Sequence, residues 1–285
     1  MVKERIRDIE KLKEIASQVR RDILRQVYSS QSGHPGGSLG CADLLVALFF
    51  NAMRHNTSFN RKGEGEDLFF LSNGHISPLL YSVLARSGYF DVKELSTFRK
   101  LGSRLQGHPT THEHLPGIRM SAGSLGQGLS VGIGAALSKK LKMEDNYVFV
   151  LMGDGEQNEG QVWEAVQFAP HYKVDNLVAI IDVNGQQIDG PTEQVMSNRD
   201  LANKYAAFGW KVLHMDGNNM VDAVKTLAAA KNACGNGIPI AIMMKTEMGA
   251  GVDFMMGSHK WHGVAPNDEQ LANALSQLPE TLGDY

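Results

Sequence analysis

Tyr147-Val148-Phe149-Val150-Leu151-Met152-Gly153-Asp154-Gly155 is an apolar run closed by a tight turn, and its reading decides the fold. A helical pattern through Trp163, Val166 and Phe168 follows. A second apolar run, Leu177-Val178-Ala179-Ile180-Ile181, then ends in Asp182-Val183-Asn184-Gly185. Two short β-rich runs flanking a helix-length segment predict a βαβ unit with parallel, adjacent strands. Asp154 and Asn184 then lie at the carboxyl ends of neighbouring strands, where open α/β sheets bind ligands. A carboxylate, an amide oxygen and nearby backbone carbonyls suit Mg²⁺ or Ca²⁺ carrying phosphates. Gly-Asp-Gly is also an ordinary turn, and its Asp reads equally as a helix cap.

The 285 residues, 42% of them hydrophobic, suffice for one large α/β domain. A net charge of −3 without a basic stripe argues against nucleic acid as a partner. Cys41 and Cys234 are far apart and form no metal-binding spacing, which fits a reducing cytoplasm. The charged N-terminus lacks the apolar core of a signal peptide, and no apolar run is long enough to span a membrane. A soluble cytoplasmic protein is expected. The 30 glycines exceed the usual share of about 7% and cluster beside His, Asp, Asn and Ser, as where backbone closely approaches a ligand.

Ile6, Ile9, Leu12, Ile15, Val19, Ile23 and Val27 recur at steps of three and four, predicting an amphipathic helix over about 3–30. Gln31–Gly40 reads as a loop that no core requires, followed by a helix from about Cys41 through Phe50 and Met53. Asp67–Leu71 is the first expected strand. It is closed by Ser72-Asn73-Gly74-His75 and followed by a helix from about Ser77 to Arg86. A further helix is expected near Val92–Lys100, before Gly107-His108-Pro109; His112 and His114 read as surface residues without a role. Ser121–Gly128 opens a helix without a strand immediately upstream, which argues against a dinucleotide fingerprint. Its small residues suit close approach to a planar ring or to a second helix.

Helices at Asn198–Phe208 and Met220–Lys231 and strands at Trp210–Met215 and Ile238–Met244 complete the series. The expected fold is α/β, a doubly wound parallel sheet flanked by helices, in a single domain over 1–285 with a helical tail at about 267–279. A glycine- and methionine-rich loop runs to Gly257-Ser258-His259-Lys260-Trp261-His262. Its two histidines read either as surface residues or as a closure over a site.

Six ordered motifs carry a resemblance that covers about residues 10–275. They are Ser32-Gly33-His34-Pro35-Gly36, Leu71-Ser72-Asn73-Gly74-His75, Gly107-His108-Pro109, Gly123-Ser124-Leu125-Gly126-Gln127-Gly128, Gly153-Asp154-Gly155 and Gly257-Ser258-His259. The chain resembles the diphosphate-binding half of the transketolases. The resemblance implies thiamine diphosphate held through Mg²⁺ (Ca²⁺ or Mn²⁺ as substitutes), with Asp154, Asn184 and the Gln186 carbonyl as metal ligands. It places His75, Gly153, Gly155 and His259 at the diphosphate, and Gly123 and Leu125 at the coenzyme's rings. His34, His108 and His259 border the reacting carbon. Glu159 matches the glutamate that communicates with the partner's activating glutamate. The implied reaction moves a two-carbon ketol unit from a ketose phosphate to an aldose, and the cofactor supplies the electron sink.

Full transketolases continue into further domains that hold the aminopyrimidine and the substrate phosphate. The resemblance therefore implies a split enzyme, two copies of this chain with two of a separate C-terminal subunit. Three other readings stand beside it: the α subunit of a thiamine-dependent 2-oxo acid dehydrogenase, a deoxyxylulose phosphate synthase, and a non-catalytic subunit that keeps the fold. Central pentose phosphate metabolism is the default pathway; a specialised route with unusual phosphorylated or sulfonated ketoses fits equally.

Overall fold

The computed structural model describes residues 5–285. Five parallel strands form one sheet: β1 (Leu68–Leu71), β2 (Val148–Gly153), β3 (Leu177–Val183), β4 (Lys211–Asp216) and β5 (Ile240–Lys245), in the order β1-β2-β3-β5-β4. The βαβ unit is present as expected. β2 and β3 run parallel in register from Val148 opposite Leu177 to Gly153 opposite Asp182, joined by the helix Gly160–His171. Both faces of the central strands are covered, which is why these runs are apolar without interruption rather than alternating.

The period of two along each strand divides the core. Phe149, Leu151, Val178, Ile180, Ile240 and Ile242 pack with α1 (Ile9–Ser30), α2 (Pro35–Gly40), α3 (Ala42–Ala47), α4 (Ser77–Arg86) and the helix Met220–Ala233. Val148, Val150, Met152, Ala179 and Ile181 point the other way, against α5 (Gly128–Leu141), α6 (Gly160–His171) and α7 (Leu201–Ala207). Helices on both faces of an open parallel sheet make the fold doubly wound. The final helix, Asp268–Gln277, begins at Asn267 in a reciprocal capping box with Gln270.

Several local expectations change. The first helix begins at Ile9, capped by Asp8, so Ile6 precedes it; residues 1–4, where that helix was expected to start, lie outside the described residues. Gln31–Gly40 is not simply a loop: α2 is helical and every residue in it is buried. Pro35 occupies the first turn, where no N–H is needed. The glycines let this turn sit against other backbone, since a Cβ on Gly36 would lie 2.8 Å from the Trp261 carbonyl. The helix after Cys41 widens into a π turn over Leu48–Ala52, and Val92–Thr97 is a 3₁₀ helix that stops short of Lys100. Among the described residues, no helix is long and apolar enough to cross a membrane.

Candidate functional site

The carboxyl edge of the sheet gathers the polar groups. Asp154 follows β2 and Asp182 lies in β3; both are almost wholly buried, and the Asp154 N–H donates to the Asp182 carbonyl at 3.0 Å. The Asp154 carboxylate accepts from the N–H of Gly155 at 2.7 Å and of Gly185 at 2.8 Å. Asn184 donates through Nδ2 to Asp182 at 2.9 Å, while its Oδ1 accepts from the Gln186 N–H at 2.9 Å. Gly185, at φ +71°, makes the tight turn that brings these groups together. Burial and the neighbouring Asp182 push the Asp154 carboxyl up to about 7.

Four imidazoles face this edge. His34 lies 5.0 Å from His75, 5.5 Å from His262 and 6.4 Å from His108 between ring centroids; His75 and His262 are 5.1 Å apart. Each is set by local geometry. His34 immediately precedes α2, His75 sits in the 3₁₀ turn Gly74–Ile76 after β1, and His108 stands between Gly107 and Pro109. Arg99 donates to the Ser32 hydroxyl at 2.8 Å, and a Cβ on Gly107 would lie 2.7 Å from its guanidinium carbon, so it buttresses both the His34 and His108 segments. Burial lowers all four histidines, His34 to about 4 and His75 to about 3. They are neutral at pH 7, and each ring offers one N–H donor and one acceptor nitrogen.

A cavity of about 380 Å³ joins the two groups. It is lined by His34, His75, Gly123, Leu125, Gly153, Asp154, Gly155, Glu159, Asn184 and Gln186, among the residues expected from sequence, and also by Asp182 and His262. Five buried polar atoms without a hydrogen-bond partner belong to residues of the same wall: His34 Nδ1, Asn73 Oδ1, Gln186 Oε1, Gln187 Nε2 and His262 Nδ1. Buried polar atoms normally find partners, so their convergence marks a ligand position. Among the described residues the lining holds the carboxylates of Asp154, Glu156, Glu159 and Asp182 but no lysine or arginine. An anion such as a diphosphate fits this wall only with a hard cation between, and oxygens of Asp154, Asn184 and Gln186 are suited to one. The donor set and the orphaned atoms therefore fit a metal-bound diphosphate.

His259 does not join the cluster. It lines a neighbouring outer cavity with Lys260, Trp261 and Val264, while His262 borders both spaces. The inward imidazole of this loop is thus His262, and His259 stands in the vestibule. Glu159 occupies the cap position of α6 at the exposed mouth. His112 and His114 are both exposed at the surface, away from the cavity wall. Sequence reasoning assigned no role to Asn73, Glu156, Asp182 or Gln187. All four stand within two residues of an assigned position, and that proximity is the signal the sequence offers.

Comparison with known proteins shows the family and agrees with the fold. Residues 11–280 match the family described as the transketolase thiamine diphosphate binding domain. The chain is 40% identical over 263 residues to one of the subunits of the apulose-4-phosphate transketolase of Phocaeicola vulgatus, covering 92% of each chain. It is 36% identical to the 6-deoxy-6-sulfo-D-fructose transketolase subunit SqwG of Clostridium sp. strain MSTE9, covering 92% of this chain and 94% of that one. Human transketolase is 36% identical over 273 residues, but the chain spans only 42% of its length. The crystal structure of transketolase from Campylobacter jejuni superposes with a TM-score of 0.88 at 32% identity, over 95% of this chain and 43% of that one.

Proposed function

The chain belongs to the transketolase family, and from that premise we propose that it is the diphosphate-binding subunit of a split, thiamine diphosphate-dependent ketol transferase. The observation that carries the reading is the meeting of three neutral imidazoles, His34, His75 and His262, with the Asp154–Asn184 edge at one cavity, while exposed His108 stands beside them 6.4 Å from His34. Asp154, Asn184 and the Gln186 carbonyl would hold Mg²⁺, with Ca²⁺ or Mn²⁺ as substitutes. His75 and the Gly155 N–H would hold the diphosphate, and Gly123 and Leu125 would border the rings. When bound, the coenzyme supplies the electron sink for breaking the carbon–carbon bond of the ketose.

The protein's own contribution is proton handling and alkoxide stabilisation. His34, His108 and His262 would donate hydrogen bonds to the sugar oxygens and exchange protons with them as charge develops. Because partial desolvation lowers these rings and so favours their neutral form, they act as polarised donors and acceptors rather than as fixed cations. Asp182 would hold the Asn184 amide through Nδ2 and so aim its oxygen, as outer partners of metal ligands do.

The partner reading rests on the two relatives that match end to end, both named as parts of a transketolase. Ile188, Val195 and Met196 are exposed, and the Met196 carbonyl accepts from the cavity residue Asn158 at 3.4 Å, so apolar surface lies beside the mouth. A separate C-terminal chain, in a complex of two copies of each, would cover this rim, meet Glu159 and complete the ring pocket. The substrate class we favour is ketoses with an anionic end, phosphate or sulfonate, in a specialised sugar pathway. Ketol transfer from such a donor by the assembled complex, lost in Asp154→Ala, tests the reading. Binding without any transfer would instead favour a non-catalytic role.

A further inference from the structure

Glu156 is a carboxylate of the cavity wall with no part in the metal donor set or the imidazole cluster, and it is 2% exposed. Its Oε1 accepts from the Ser72 hydroxyl and from the Gly126 N–H at 2.8 Å; its Oε2 accepts from the Gly153 N–H at 3.1 Å. The Ser72 Oγ is tied from its other side, because it accepts from the Gly128 N–H at 3.0 Å. These donors come from three separate walls. Ser72 follows β1 and leads to His75, Gly126 lies one residue past Leu125, and Gly153 immediately precedes Asp154.

Gly126 is held from a second direction as well. It has φ +83°, and a Cβ there would lie 2.8 Å from the Cβ of Glu159. The Gly123–Gly128 segment is therefore clamped between Glu156 and Glu159. We propose that Glu156 is a positioning residue that fixes His75, Leu125 and Asp154 relative to one another and thereby sets coenzyme affinity. This rests on the coenzyme reading above.

An amide cannot replace this carboxylate. Its two oxygens face only donors, so the NH₂ of Glu156→Gln must oppose either Gly153 or the Gly126–Ser72 pair. The test is calorimetric titration of thiamine diphosphate, at saturating Mg²⁺, into the chain assembled with its partner. Glu156→Gln should weaken coenzyme binding about 10–100-fold, the scale usual for residues that orient first contacts. The melting temperature without coenzyme should fall by only a few degrees. Ser72→Ala, which removes one of the three donors, should weaken binding to a smaller extent. Should Glu156→Gln not fold, Ser72→Ala decides the matter. A folded variant that binds coenzyme as the wild type does overturns the role of Glu156 while leaving the coenzyme reading intact. Wild-type assembly that fails to bind thiamine diphosphate overturns both.

Discussion

Asp154 and Asp182 end neighbouring parallel strands, joined by a main-chain hydrogen bond of 3.0 Å, and each carries a buried carboxylate to the same cavity. Burial, and then the repulsion of two such groups with no lysine or arginine in the cavity wall, raises Asp154 to about 7. A divalent cation relieves that repulsion, whereas a proton competes with it below about pH 7. The rise in melting temperature given by Mg²⁺ with thiamine diphosphate should therefore be larger at pH 8 than at pH 6. Asp154→Ala should abolish it. An equal shift in the variant would place the cation elsewhere.

His262 and His259 are three residues apart but face different spaces. His262→Ala should lower ketol transfer by about 10²–10⁴-fold, the usual range for removing a proton-transfer group. His259→Ala should change it far less. Steady-state kinetics on the two variants, assembled with partner, separates them; the reverse order would return the inward role to His259.

The half-buried imidazoles also predict an acid sensitivity. His34 and His75 have folded-state values near 4 and 3, below the ordinary 6.5, so the unfolded chain binds more protons between those limits. Their contribution to stability is complete above about pH 6.5 and is lost as pH falls toward 4. Asp154 acts in the opposite sense, so the comparison needs a variant. Urea midpoints measured across the interval from neutral to mildly acidic pH should fall less steeply in His75→Asn than in the wild type. Parallel slopes would show that His75 charges freely in the folded chain.

Gly132 lies in α5 where that helix crosses β2, and a Cβ there would overlap the Val150 side chain. Helix propensity alone favours alanine over glycine, so packing and propensity oppose each other. Overpacking of this kind costs about 1–3 kcal/mol and should prevail. Thermal melts of Gly132→Ala should show a fall of several degrees; an unchanged or higher midpoint would mean that the helix can lift from the strand.

Much of this arrangement is legible in the sequence because strand and helix periods are local. The runs Val148–Met152 and Leu177–Ile181 are too short for helices and too apolar for exposed strands, and the segment between them fits one helix. Their ends place Asp154 and Asn184 without any tertiary knowledge. Pro35–Gly40 reads as loop because its glycines oppose a helix in isolation. Close approach to the Trp261 and Glu247 carbonyls, which only the folded chain supplies, makes them fit. The loop holding His259 and His262 has no period to say which ring turns inward. Its path is set by bonds such as Trp261 Nε1 to the Phe254 carbonyl at 2.9 Å. The bonding of Glu156 is silent in the sequence for a related reason, since Ser72 and Gly126 lie in segments distant from it along the chain.

The most direct test combines this chain with the separate C-terminal chain proposed as its partner, thiamine diphosphate and Mg²⁺, and measures ketol transfer from an anionic ketose. Each chain alone serves as the comparison. The account predicts turnover only in the mixture, with tight coenzyme binding appearing at the same stoichiometry. Turnover by this chain alone would show that it completes its own site, and the two-chain reading would be wrong.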